Sequence, residues 1–165
     1  YSARSKGIVI RNGELYRDVL WGDVLIMNYD GSMQTYSKDE FDIEYTIDNG
    51  AYQGWSFGPM LLNNGQPMTS FDSNLTKKNP RSSIGYYEPG HYCFIAVDGR
   101  GQNDSSGMTL EELSALYYDL GCKVAYNLDG GGSAKMMFMD KMVNNPSSRS
   151  REISDILYII EYGGD

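Results

Sequence analysis

The chain has 165 residues, enough for one domain with a real core and too few for two comfortable ones. With 41% hydrophobic and 22% charged residues, the composition excludes a disordered chain. The 14 basic residues against 22 acidic ones leave a net charge of -8, which argues against a nucleic-acid surface but leaves room for a basic pocket around one phosphate.

The first third reads as short strands and tight turns. GIVIRNGELY (Gly7 to Tyr16) places Asn12-Gly13 between two β-like runs, the strongest short hairpin signal. DVLIMN (Asp23 to Asn28) and MQTY repeat the pattern around Asp30-Gly31. Residues 37 to 58 read as a helical turn and a loop, and GPMLLNNGQ returns to strand and turn. SSIGYY and HYCFIAV are two strands joined at Glu88-Pro89-Gly90-His91, followed by the polar loop GRGQNDSSGM.

TLEELSALYYDL is the clear helix. Thr109 and Glu112 have capping-box spacing, Leu113, Leu116, Tyr117 and Leu120 make an apolar face, and Gly121 stops it. KVAYNL (Lys123 to Leu128) is the next strand, and AKMMFM and ILYIIEY are two more. Cys93 and Cys122 lie in apolar strands and read as buried free thiols, with a disulfide left open. No apolar run reaches the roughly 18 residues of a spanning helix. The chain opens at Tyr1 rather than Met and reads as a trimmed or processed piece.

HYCFIAV, the capped helix and KVAYNL form a strand–helix–strand unit, which normally makes two parallel strands. Asp98 follows the first strand and Asp129 the second, so both belong at the carboxyl edge of a sheet, where ligands bind in open α/β folds. Each is followed by Gly, as DGRG and DGGG. Consecutive amides of Gly130, Gly131 and Gly132 can form an anion-binding nest, with the Ser133 hydroxyl beside it. GGGSAK is not a phosphate-binding P-loop, because no GK[ST] follows, and it is not a nucleophile elbow, because G-x-S-x-G is incomplete.

His91 is the only histidine and sits at a turn, which gives a Ser–His–Asp arrangement no local support. One His and two scattered Cys make a poor zinc set, and DGRGQND lacks the terminal Glu of an EF-hand loop. The residues therefore call for no cofactor and assign no metal. Arg81, Arg100, Arg149 and Arg151 flank these elements, and arginine binds phosphate through paired hydrogen bonds.

The stretches FGPMLLNNGQ, NPRSSIGY, FIAVDGRGQNDSSGMTLEELSALYYDLGCKVAYNLDGGGSAKMM and VNNPSSRSREISDILYI together resemble the phosphodiester glycosidase family, over roughly Gly7 to Ile160. The resemblance implies hydrolysis of a sugar, of the N-acetylglucosamine type, linked through its anomeric carbon to a phosphodiester. It also implies functional positions at Arg81, Asp98, Arg100, Asn127, Asp129, Gly130 to Gly132, Ser133 and Arg151. The resemblance implies one domain over residues 1–165 lacking the Asn-Gly-aromatic strand that family members carry upstream of the segment matching KGIVIRNG, that strand being either removed or supplied from elsewhere. An extracellular or cell-envelope setting is a further expectation from the resemblance.

The chemistry expected is that of two carboxylates, Asp98 and Asp129, flanking a bond that builds positive charge on the sugar. Arg81, Arg151 and the glycine nest would stabilise the departing phosphate. Which aspartate serves as acid, and whether attack falls on carbon or phosphorus, is left open. A carbohydrate-phosphate binding module without turnover and a metal-dependent phosphodiesterase are the alternatives. The expected partner is a sugar-phosphodiester glycan, with no nucleic acid and no membrane contact. The expected fold is a single α+β domain on a mixed β-sheet with a strand–helix–strand unit and hairpins.

Overall fold

The structure, a computed structural model, describes residues 6–71, 73–147, 152–153 and 156–160. Its strands are β1 (Val9–Arg11), β2 (Glu14–Arg17), β3 (Val24–Asn28), β4 (Met33–Tyr36), β5 (Ala51–Trp55), β6 (Leu62–Asn63), β7 (Gln66–Pro67), β8 (Arg81–Glu88), β9 (His91–Val97), β10 (Val124–Leu128), β11 (Met137–Phe138) and β12 (Lys141–Met142). The helices are α1 (Ile43–Asp48) and α2 (Leu110–Asp119). The α+β class forms as expected, and among the described residues no helix is long and apolar enough to cross a membrane.

The first five strands build one sheet in the order β2-β1-β5-β3-β4. Asn12 and Gly13 both take positive φ, 53° and 80°, the turn geometry that matches the twist of a hairpin. At the β3–β4 turn the Asp30 carboxylate accepts from the Ser32 amide at 2.8 Å and its hydroxyl at 2.6 Å. The helical turn expected within residues 37–58 is α1, capped by Asp42. The loop expected after it is instead β5, the middle strand of the sheet. Its Gly54 misleads a propensity reading, but a β-carbon there would stand 3.1 Å from both Ile10 and Ile26, so any side chain would press on both flanking strands.

The second sheet has three strands in the order β10-β8-β9. Both outer strands are antiparallel to β8, so β9 and β10 run parallel with β8 between them. The strand–helix–strand unit thus forms with its two strands parallel, as expected, although they do not pair with each other: every strand pairing described is antiparallel. Asp98 and Asp129 nevertheless leave the sheet at the same edge, because their strands share a direction.

Side-chain alternation along β8 assembles the core. Ile84 and Tyr86 meet Leu25, Met33, Met60 and Tyr126 between the two sheets. Residues of the opposite face pack under α2, whose Leu110, Leu113 and Tyr117 are fully buried with Leu61, Leu62 and Ala125. The Tyr117 hydroxyl donates to Ser83 Oγ at 2.8 Å, and Ser114 Oγ donates to the Leu61 carbonyl at 2.6 Å, so the polar groups under the helix are satisfied. Ile8, Ile10, Val24, Ile26 and Ala51 pack with α1 on the outer face of the five-stranded sheet. The order through the core is thus α1, five strands, three strands, α2.

The capping box at Thr109 and Glu112 forms, and Gly121 ends the helix with φ 78°. Leu120 is 44% exposed, because it is the C-cap and lies past the buried Leu110–Leu113–Tyr117 stripe. The strand expected at AKMMFM shrinks to β11, half of a small exposed hairpin with β12. In ILYIIEY, residues 156–160 make no strand pairing and are exposed. Both cysteines are free thiols.

Candidate functional site

The shared edge of β8, β9 and β10 opens into a cleft of about 330 Å³. Its walls come from Phe57; Leu75; Asn79, Pro80 and Arg81; Arg100; and Asn127 through Gly132. Among the described residues, the charged ones that line it are Arg81, Arg100 and Asp129.

Arg81 opens β8 and is only 3% exposed. Its Nε donates to the Met108 carbonyl at 2.9 Å, and its Nη2 donates to the carbonyls of Leu75 at 2.6 Å and Lys77 at 2.7 Å. Burial lowers its pKa, yet a guanidinium keeps its charge throughout the physiological range. These hydrogen bonds all run to neutral carbonyls. The cation therefore fastens the 75–77 loop while its field is left uncancelled by those partners.

Arg100 reaches the cleft from the loop after β9, with φ 58°. Its Nη2 lies 3.5 Å from Asn79 Oδ1, and a β-carbon on Gly131 would stand 3.0 Å from the same nitrogen. The guanidinium thus lies across Gly131. The glycine run answers to this crowding: a β-carbon on Gly130 would sit 2.5 Å from the Pro80 carbonyl oxygen, and Gly131 takes φ 58°. The expected nest is partly closed, since the Gly131 amide donates to Pro80 at 2.9 Å and the Ser133 amide to Gly130 at 3.0 Å. Ser133 is buried and does not line the cleft.

Asn127, near the end of β10, is 3% exposed. Its amide donates to the Pro59 carbonyl at 3.0 Å and its Nδ2 to the Gly58 carbonyl at 2.9 Å. Next to it, the Tyr126 hydroxyl accepts from the Phe57 amide at 2.9 Å and donates to the Asp23 carbonyl at 2.6 Å. The 57–59 wall is thereby clamped to β10. Asp129 follows at the cleft edge.

Asp98 is placed differently. It is not among the lining residues. Its Oδ1 accepts from Asn144 Nδ2 at 3.1 Å and the Asn145 amide at 2.8 Å, and its Oδ2 from Asn103 at 3.3 Å and Asn145 Nδ2 at 3.4 Å. The carboxylate thus ties the loop at Asn103 to the one at Asn144 and Asn145. The structure brings Arg81, Arg100, Asn127, Asp129, Gly130, Gly131 and Gly132 into one cleft and leaves Asp98 and Ser133 outside it. Arg149 and Arg151 lie outside the described residues. His91 stacks on Tyr87 at 4.3 Å, at the start of β9 and so away from the edge that carries the cleft.

Phe57, Leu75, Asn79, Pro80 and Leu128 line the cleft without having been singled out by residue chemistry. Glycine spacing holds a usable signal for Asn79 and Pro80. Gly99, Gly107 and Gly130 all press on that dipeptide, and β-carbons on them would fall within 2.9 Å of its backbone.

Three likenesses bear on this arrangement. The sequence profile of the phosphodiester glycosidase family matches residues 1–160. The SPbeta prophage-derived uncharacterized protein YomE of Bacillus subtilis (strain 168) is 33% identical over 162 residues, covering 93% of this chain and 25% of that protein. The catalytic domain of zebrafish N-acetylglucosamine-1-phosphodiester alpha-N-acetylglucosaminidase, solved auto-inhibited by its pro-peptide, superposes with a TM-score of 0.65 at 24% identity. That match covers 85% of this chain and 50% of the zebrafish one, and it concerns the fold. The chain thus spans a quarter to a half of the length of these relatives. A family match over nearly all of the sequence, on a fold shared with a member of known structure, leads to one conclusion: the chain belongs to the phosphodiester glycosidase family.

Proposed function

We propose that this domain hydrolyses a sugar joined through its anomeric carbon to a phosphodiester, releasing free sugar and a phosphomonoester. The observation that carries the reading is the buried Arg81, whose guanidinium donates to three carbonyls among the described residues, at the wall of a cleft that Arg100 and Asp129 also line. A phosphodiester brings one negative charge to the two cations. The name of the zebrafish relative supports N-acetylglucosamine as the sugar.

In this reading Arg81 and Arg100 bind the phosphodiester and hold charge that grows on it as the sugar–oxygen bond breaks. Preorganised donors of this kind typically contribute on the order of 10²–10³ in rate each. Asp129 serves the sugar side, as base or nucleophile. Asp98 acts as a positioning residue, because its carboxylate accepts hydrogen bonds from three asparagines and does not line the cleft.

The test is an assay against aryl and UDP-linked sugar phosphodiesters in ¹⁸O-labelled water, with and without a chelator. Free sugar carrying the label supports the reading. Label in phosphate moves the attack to phosphorus, loss of activity with chelator favours a metal-dependent phosphodiesterase, and binding without turnover favours a carbohydrate-phosphate module.

A further inference from the structure

Asn127 has one polar atom that the fold leaves unanswered. The residue is 3% exposed and lines the cleft, and its Oδ1 is buried without a hydrogen-bond partner. The orientation of the amide is set by the protein: Nδ2 donates to the Gly58 carbonyl at 2.9 Å, and the reversed amide would bring two carbonyl oxygens together there. A buried carbonyl without a donor is unfavourable, and native proteins rarely leave one so. Arg81 and Arg100, proposed to hold phosphate, line the same cleft.

We infer that Asn127 Oδ1 accepts a hydrogen bond from the sugar of the bound phosphodiester, and so selects for a sugar bearing a donor at that position. This rests on the function proposed above. A carbonyl oxygen accepts and cannot donate, and a phosphodiester at neutral pH carries no proton to give, so the phosphate cannot be its partner. The donors a sugar offers are ring hydroxyls and, in an N-acetylated sugar, the acetamido N–H. The division of labour is therefore by polarity: Arg81 and Arg100 take the anion, and Asn127 reads the neutral ring next to it. A site built around one donor rejects the analogue lacking it, because its own acceptor is then stranded.

Calorimetric titration tests this with the methyl phosphodiester of N-acetylglucosamine and analogues each lacking one donor: a deoxy compound for each hydroxyl and an ester in place of the acetamido group. Methyl phosphate is the sugar-free control. Wild-type protein should bind one analogue roughly tenfold to a hundredfold more weakly than the parent. In Asn127→Ala the parent and that analogue should bind alike to within about twofold, with methyl phosphate unaffected. Which analogue loses affinity tells hydroxyl from acetamido recognition. If the wild type fails to bind the parent, the proposed function falls and this assignment with it. Should the parent bind and Asn127→Ala weaken every ligand equally, methyl phosphate included, the assignment alone falls. Because the variant also loses the tie to Gly58, the side-chain amide resonances of wild-type Asn127 give a second readout. They should shift with the parent and not with the discriminated analogue, and an identical response to both overturns the inference.

Discussion

Gly107 and Asn79 touch backbone to backbone. A β-carbon on Gly107 would lie 2.4 Å from the carbonyl carbon and oxygen of Asn79, and Gly107 itself has φ 86°. The Asn79 and Met108 amides exchange hydrogen bonds across this contact at 3.2 and 3.1 Å. Asn79 and Pro80 are then pinned from other sides by Gly99 and Gly130. The rigid approach of residues 79–81 to the cleft follows from what these glycines lack.

Gly107→Ala should therefore destabilise the domain by about 2–4 kcal/mol, combining left-handed strain with a clash against main chain. Gly101 has a similar φ of 85° and nothing within 4 Å of its would-be β-carbon, so Gly101→Ala should cost only about 1–2 kcal/mol. Urea denaturation of the two variants measures the difference.

Asp129 and Asp98 should separate chemistry from architecture. Asp129→Asn should keep the fold and lower kcat by on the order of 10²–10⁴, the usual scale for a lost acid–base group. Asp98→Ala strands donors from Asn103, Asn144 and Asn145 and should cost about 1–3 kcal/mol of stability. Gly131→Val would displace Arg100 and force a β-branched residue to positive φ, so it should raise KM more than it lowers kcat. Thermal melts and steady-state kinetics on the same preparations distinguish the three.

Tyr126 is a clamp whose hydroxyl joins Phe57 to Asp23. Tyr126→Phe fills the same space but removes the hydrogen bonds to the Phe57 amide and the Asp23 carbonyl. It should cost about 1–3 kcal/mol. Since Phe57 lines the cleft, ligand affinity should drop while the secondary structure seen by circular dichroism is retained.

Alkaline pH should unfold the domain early. Burial raises the thiols of Cys93 and Cys122 from their ordinary value of 9.0. Tyr87 is pushed up to about 12, first by its hydrogen bond to Cys122, and burial raises Tyr117 and Tyr126 from 10.0. The folded protein keeps these protons longer than the unfolded chain. Stability from these groups is thus full below about pH 9 and falls as pH climbs through their folded-state values. Denaturation midpoints measured from pH 7 upward, falling as the pH rises, check the sign.

The parts of the fold legible in the sequence are those specified by near neighbours. Asn12-Gly13, Asp30-Gly31 and the Thr109–Glu112 box carry their geometry within a few residues. The common edge for Asp98 and Asp129 was legible too, since it depends only on strand direction. What failed depended on distant partners. AYQGW conceals a central strand because Gly54 is selected by Ile10 and Ile26, far from it in the chain. The insertion of β8 between β9 and β10 leaves no local trace. The Asp-Gly setting of Asp98 also gives no sign of the hydrogen bonds it accepts from Asn103, Asn144 and Asn145.

The cleft draws its walls from Phe57, Asn79, Arg100 and Asp129, which lie well apart along the chain. Such a surface has no local precursor. The β8–β9 hairpin pairs residues adjacent in the chain and can form early, whereas the cleft waits on closure of every loop between its walls. Sheet-rich topologies with such separations fold in roughly milliseconds to seconds. Recovery of anion binding should accordingly lag behind recovery of helical signal in stopped-flow refolding. During synthesis, a chain that has emerged only as far as α2 has the strands of its β8–β9 hairpin but not the glycine loop after β10, and so no place yet for a phosphate to bind.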